Sequence, residues 1–249
     1  MQENKHQFPS EEVTLPSKGL LYSKDSPLSK GSIEMKYMTA REEDILTNQN
    51  LIQNGTVIDK LLESLIITPI DYKDLLIGDK NALLIAARIL GYGSDYEFSY
   101  NGEEHTVDLT KIEDKELDPL LTSSGKNEFH FTLPTSKTKI SFKLLTHGDE
   151  KSINLELKGL KKINKDSSYE LTTRLKHIII SINGEYEKEK IRDFIDNKLL
   201  ARDARSLRKK IADIQPDVDL SYDYEDNNGD LVKVPIPIGL NFFWPDAGV

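Results

Sequence analysis

The sequence predicts an α+β fold: two helical units, each followed by a β-hairpin, with a β-rich insert between them. Three observations carry that expectation. Apolar residues recur at intervals of three and four over Val57–Ile66 and again over Leu200–Ile214, the spacing of helices with one buried stripe. Asn101-Gly102 and Asn227-Asn-Gly229 each separate runs rich in Tyr, Val and Ile, and Asn-Gly supplies the positive φ angles of a tight hairpin turn. Phe129–Leu133 and Lys139–Leu144 flank a turn at Pro134–Lys137 and read as a further strand pair.

Residues 1–31 are expected to form an extended N-terminal arm. Val13–Leu15 is a short extended piece, Pro16 and Gly19 break it, and Leu20-Leu21-Tyr22 makes an apolar patch before a Ser/Pro/Gly turn region that ends at Gly31. Residues 32–94 follow as a strand plus a helical unit. Ile33, Met35 and Tyr37 alternate with Ser32, Glu34 and Lys36, the period of a half-buried strand. Thr39 and Glu42 have the spacing of a capping box, which opens a short acidic helix, Ala40–Leu46. The helix from Val57 stops before Pro69. Asp71–Ile77 is a further turn or two closed by Gly78, and Asp79 caps a helix that runs to Leu90 with Gly91 as its stop.

The β insert, 95–150, opens with the hairpin around Asn101-Gly102 and continues with the strand pair at 129–144. In the second helical unit, 151–215, Ser167 and Glu170 repeat the capping-box spacing, and Leu171, Leu175, Ile178, Ile179 and Ile182 form a buried stripe that ends at Gly184. Glu187–Asn197 and Leu200–Ile214 are two more amphipathic helices. Residues 216–249 hold the last hairpin, Leu220–Tyr224 with Leu231–Ile238, and an aromatic tail; Pro235 and Pro237 confine the return strand to a sheet edge. No residue-level repeat accompanies the two rounds of helical unit and hairpin.

Composition narrows the function. With 37% hydrophobic and 30% charged residues, the chain of 249 is expected to fold and to carry a large wet surface. A net charge of −9 argues against a general binder of phosphate backbones, which needs a surplus of Lys and Arg. The absence of cysteine removes disulfides, thiolate zinc sites and thiol nucleophiles. No apolar run approaches the roughly 18 residues of a bilayer span, and the start MQENKHQFPSEE lacks the apolar stretch of a secretory signal, so a cytosolic chain is expected.

No catalytic, cofactor-binding or metal-binding residue is assigned. His6, His105, His130, His147 and His177 are scattered without metal-site spacing, and no G-x-S-x-G elbow is present. Gly91-Tyr92-Gly93 follows a helix rather than a strand, so it is no dinucleotide loop. Reading Asp217–Asp230 as a calcium loop puts Tyr224 at the first ligand position and Pro235 at the last, which fails. Three groups are candidates for binding a partner. Arg202, Arg205 and Arg208, with Lys209, fall at helical spacing beside an apolar stripe and suit an acidic partner or a phosphate backbone; the alternative is a solvated or salt-bridged helix face. Phe242, Phe243 and Trp244 are anchors of interface type near a chain end, or else they fold back on their own core. Leu20, Leu21 and Tyr22 carry the same two readings.

Three stretches together, Leu15–Tyr22, the block Met35–Leu65 containing Tyr37–Leu46, and Pro235–Pro245, resemble the baseplate hub proteins of T-even-type contractile-tailed phages and their marine relatives. Leu199–Arg208 is similar to a segment of the same family. The resemblance implies a non-enzymatic protein that helps to build the tail baseplate hub or remains in it. Its partners would be other tail or baseplate proteins, such as hub, tape measure or tube components, and not nucleic acid or membrane; self-association stays open. It would be found in the host cytoplasm during assembly and in the virion tail baseplate if retained. The alternative is a transient tail-assembly chaperone absent from the mature virion; below it rank a hydrolase with a carboxylate pair and a nucleic-acid binder using Arg202–Lys209. Some family members carry CxxC pairs in their hairpins that would bind zinc, whereas the turns here lack cysteine, so no metal is carried over. The family has no established catalytic residue to transfer.

Overall fold

In the computed structural model, which describes residues 9–118, 125–163, 169–225 and 229–243, the chain has the expected α+β architecture. Strand β1 (Ser10–Thr14) pairs antiparallel with β2 (Ser32–Lys36), Val13 opposite Ile33. Alternation puts Ile33 and Met35 inside and leaves Glu34 in water. The N-terminal arm is extended only as far as β1. Beyond it the Leu15 amide donates to the Gly31 carbonyl (2.8 Å), and Leu15, Ser17, Leu21, Tyr22 and Leu28 are buried. A loop with this many apolar side chains gains more by closing on its own core than by staying in water.

Helix α1 (Ala40–Leu46) starts where the capping-box spacing places it. The buried Glu42 carboxylate accepts from the Thr39 amide (3.0 Å) and hydroxyl (2.6 Å), from Lys36 Nζ (2.8 Å) and from Ser64 Oγ (2.7 Å). Burial pushes this carboxyl up, but the four donors outweigh it and hold it down at about 2. A short α2 (Gln49–Asn54), capped by Asn48, leads into α3 (Val57–Leu65), whose Leu61, Leu62 and Leu65 are fully buried. Asp71 caps a single 3-10 turn, Tyr72–Asp74.

Helix α4 (Ile77–Tyr92) departs from expectation at three residues. Gly78 lies inside its first turn, because the backbone of Pro216 passes there: a Cβ on Gly78 would sit 1.7 Å from the Pro216 carbonyl oxygen. Asp79 is no cap. Its buried carboxylate accepts from the Ser17 amide (2.9 Å), the Ser17 hydroxyl (2.7 Å) and the Tyr22 hydroxyl (2.6 Å). Gly91 is still helical, packed on Met38, and the stop is Gly93 with φ +85°. In a helix with free space, Gly→Ala gains up to about 1 kcal/mol. Gly78→Ala is expected instead to cost about 1–3 kcal/mol by overpacking, seen as a lower urea midpoint; a stabilised variant would mean that α4 and Pro216 do not approach in this way.

Strands β3 (Asp95–Tyr100) and β4 (Glu103–Asp108) form the expected hairpin, with Asn101 and Gly102 at φ 51° and 84°. The C-terminal hairpin returns to it. Phe98 meets Tyr222 edge-on at 6.1 Å, Tyr222 Oη is hydrogen-bonded to His105 Nδ1, and Tyr96 Oη donates to the Pro237 carbonyl (3.2 Å). Backbone bonds from the Lys115 amide to Asp217 O and from the Asp219 amide to Glu113 O (2.8 Å each) tie the same two stretches together.

The middle of the chain forms a separate sheet. Strand β5 (Phe129–Thr132) pairs with β6 (Lys139–Phe142), and β6 with β7 (Ile179–Ile182), all antiparallel. The stripe from Leu171 to Ile182 is therefore not one helix. Consecutive β-branched residues favour a strand, and after α6 (Glu170–Ile178) Ile179 pairs with Phe142 in the sheet. Ser167, half of the second capping box, lies outside the described residues. Helix α5 (His147–Ile163) was not expected, although Ile153, Leu157 and Leu160 recur at four and three; among them Ile153 is fully buried. Helices α7 (Lys188–Asn197) and α8 (Ala201–Ile214) stand where the spacing puts them. The final strands, β8 (Ser221–Glu225) and β9 (Leu231–Pro235), make a two-stranded sheet, so Pro235 is on an edge as expected.

Candidate protein-interaction surface

Helix α8 is mounted by a carboxylate. Asp203, buried in its first turn, accepts from the Thr135 amide (2.7 Å) and the Ser136 amide (2.9 Å) in the β5–β6 turn. Burial pushes this carboxyl up, yet the two amides prevail and hold it below the usual carboxylate range. Ala204, Leu207 and Ile214 are buried on the same side of the helix. The opposite side must then face water, and it presents Arg202, Arg205, Arg208 and Lys209, all exposed. None of the four is engaged in an ion pair among the described residues, whereas the neighbouring Lys210 reaches Asp118 at 3.4 Å.

The other candidate residues are placed differently. Leu21 and Tyr22 are buried and Leu20 is half-buried in the chain's own core. Tyr22 Oη donates to Asp79 and accepts from the Leu76 amide (2.9 Å), so this hydroxyl is already occupied. Burial beside the Asp79 carboxylate drives the phenol pKa far up. Phe242 and Phe243 are fully buried in a 3-10 turn, Leu240–Phe243, where Phe242 meets Tyr96 edge-on at 4.8 Å. Trp244 lies outside the described residues. Of these candidates, among the described residues, the arginines are the ones exposed to solvent.

A second cationic face escaped the sequence reading because α5 itself did. Lys151, Lys158, Lys161 and Lys162 are exposed around Leu155, which is 74% exposed. A lone exposed leucine among lysines gives no periodic signal. Nearby, a groove of about 500 Å³ between α6, β7 and α7 is lined by Lys143, Lys176, His177, Tyr186 and Arg192; two of its cations are paired, Lys143 with Asp149 and Lys176 with Asp196 (2.7 Å each).

Asp59 accepts from Lys80 Nζ (2.6 Å) and Tyr72 Oη (3.3 Å) and faces His147 Nε2 at 3.5 Å, with the His147 ring tilted on Tyr72. Burial lowers the His147 pKa, and Asp59 opposes the shift. This cluster ties α3, α4 and α5 together. Among the described residues no group of three or more His, Asp or Glu is placed to hold a metal ion, and no helix is long and apolar enough to cross a membrane.

Fold and surface define a class: an α+β protein whose small sheet anchors, through Asp203, a helix with an exposed cationic face. The family model described as T4 bacteriophage base plate protein matches residues 13–231, and the chain belongs to that family. No curated protein and no solved structure matches the chain.

Proposed function

We propose that this chain is a structural or assembly component of the phage tail baseplate hub, acting through protein contacts and without catalysis, with the α8 face of Arg202, Arg205 and Arg208 as its partner-binding surface. Membership of the baseplate family supports the setting. The observation that carries the reading is the exposed arginine face itself, cation-rich and without a counter-ion among the described residues, on a helix that Asp203 holds in place. Arginine suits such a role because its planar fork meets carboxylates bidentately.

The test is co-purification of the chain with candidate hub, tape measure and tube proteins. Arg205→Glu with Arg208→Glu is expected to lower recovery of the partner at least about tenfold, an electrostatic penalty of about 1.4 kcal/mol or more. Folding stability should change by no more than about 0.5 kcal/mol, since both residues are exposed. Unchanged recovery would remove α8 from the interface. Mass spectrometry of purified particles separates a resident subunit from a transient assembly factor, and absence from both virions and tail intermediates would overturn the setting altogether.

A further inference from the structure

Charge is divided sharply along this chain. Residues 126–214 carry 20 Lys and Arg against 13 Asp and Glu; the remainder, 1–125 with 215–249, carries 13 against 29. The division is spatial as well. The C-terminal hairpin packs on the β3–β4 hairpin of the first half, while 126–214 builds its own three-stranded sheet with helices α5 to α8. The molecule is a strongly acidic part joined to a basic one.

Each part shows a face on which one sign of charge predominates. On the basic part it is α8, with Arg202, Arg205 and Arg208 exposed. On the acidic part it is the outer face of β3–β4. Asp95 stands directly opposite Asp108, and Glu97 and Glu104 share that face, opposite Thr106 and Ser99. Like charges opposed across strands destabilise a hairpin, yet Asp95, Glu97 and Glu104 have no cation partner among the described residues, and Asp108 has only the exposed Lys111 at 3.6 Å.

We propose that the chain associates with itself head to tail, the α8 arginine face of one copy seated on the acidic outer face of the β3–β4 hairpin of the next. The inference rests on the reading of α8 as an interface and names its occupant. A second copy is the partner that fits, because the same molecule supplies both halves of the complementarity. The two faces are different surfaces, so the joint is heterologous and repeats around a ring or along a filament.

The experiment is sedimentation of the purified full-length chain across a concentration series. At low salt the wild type is expected to form species larger than a monomer, and at about 1 M salt, where the Debye length is about 3 Å, to fall to the monomer. Arg205→Glu with Arg208→Glu should be monomeric at low salt, and so should Glu97→Lys with Glu104→Lys. Mixed in equal amounts, the two variants should associate again, since each then meets the opposite charge. All four residues are exposed, and matching circular dichroism of the variants shows that folding is retained. A wild type that stays monomeric at low salt, or a mixture that does not recover, overturns self-association. If the monomeric wild type still captures tail proteins and Arg205→Glu with Arg208→Glu does not, α8 remains an interface for another partner. If copies associate and the mixture recovers while the arginine variant retains its tail proteins, self-association stands and the partner reading of α8 falls.

Discussion

Asp79→Ala is expected to lower stability by about 3–5 kcal/mol, a fall in melting temperature on the order of 10 °C for a chain of this size. The carboxylate is wholly buried and gathers three donors, the Ser17 amide, the Ser17 hydroxyl and the Tyr22 hydroxyl. Alanine leaves all three facing a dry cavity, at about 1–3 kcal/mol for each that finds no other acceptor. One part of the loss is returned. Burial pushes the Asp79 carboxyl well up, so the charged form is itself unfavourable in the fold, which keeps the estimate below the sum. Asp79→Asn, the closest neutral shape, should cost clearly less than alanine. The residue lies 57 positions from Tyr22 and fastens the loop of residues 15–31 to α4, so Ser17→Ala and Tyr22→Phe should couple by more than about 0.5 kcal/mol in a double-mutant cycle. Urea unfolding with an unchanged m-value is the measurement; a loss under about 1 kcal/mol, or strict additivity, would show that the loop is held by apolar packing alone.

The same residue shows how far the sequence could be read. Asp79 stands next to a glycine near the start of a periodic stretch, and locally it looks like a helix cap; its true partners are Ser17 and Tyr22, which no spacing rule connects to it. Gly78 and Gly91 misled in a similar way. A glycine in a helix is either a stop or a place where something passes close, and only the arrival of Pro216 and Met38 decides. Where the signal was local it held: Thr39 with Glu42 opened α1, Asn101-Gly102 turned β3 into β4, and the three-and-four spacing of Leu200–Ile214 gave α8. Where pairing was long-range it failed. The apolar stripe through Ile178, Ile179 and Ile182 is as compatible with a helix as with a strand, and only Ile140 and Phe142 across the sheet settle it.

The candidate site divides along the same line. Arg202, Arg205 and Arg208 were legible because amphipathic spacing fixes both faces of a helix at once: once Ala204 and Leu207 are inside, the arginines are outside. Asp203, which holds that helix to the β5–β6 turn, was invisible, since its acceptor role depends on amides 67 and 68 residues away. Aromatic and apolar clusters at chain ends gave no such discrimination. An interface anchor and a core plug have the same composition, and the difference lies in what else arrives at that place.

Phe242→Ala distinguishes those two roles by experiment. A ring that waits for a partner can be removed with a change within about 0.5 kcal/mol in the isolated chain, whereas a ring buried in its own core costs about 3–5 kcal/mol. The fold predicts the second. Phe242 is fully buried and meets Tyr96 at 4.8 Å and Phe243 at 5.4 Å, both edge-on, and Tyr96 in turn donates to the Pro237 carbonyl. Removing the ring therefore strips the contact through which the C-terminal segment is seated on β3, beside Arg88, whose guanidinium donates to the Gly93 and Asp95 carbonyls (2.9 and 3.1 Å). Phe242→Leu, which keeps much of the volume, should cost less than half as much. Hydrogen exchange gives the spatial check: protection should fall first in β3–β4 and β8–β9, and the sheet of β5 to β7 should be affected last. If Phe242→Ala unfolds at the wild-type urea concentration, the tail is not part of the core, and these aromatics become the partner-binding end of the molecule.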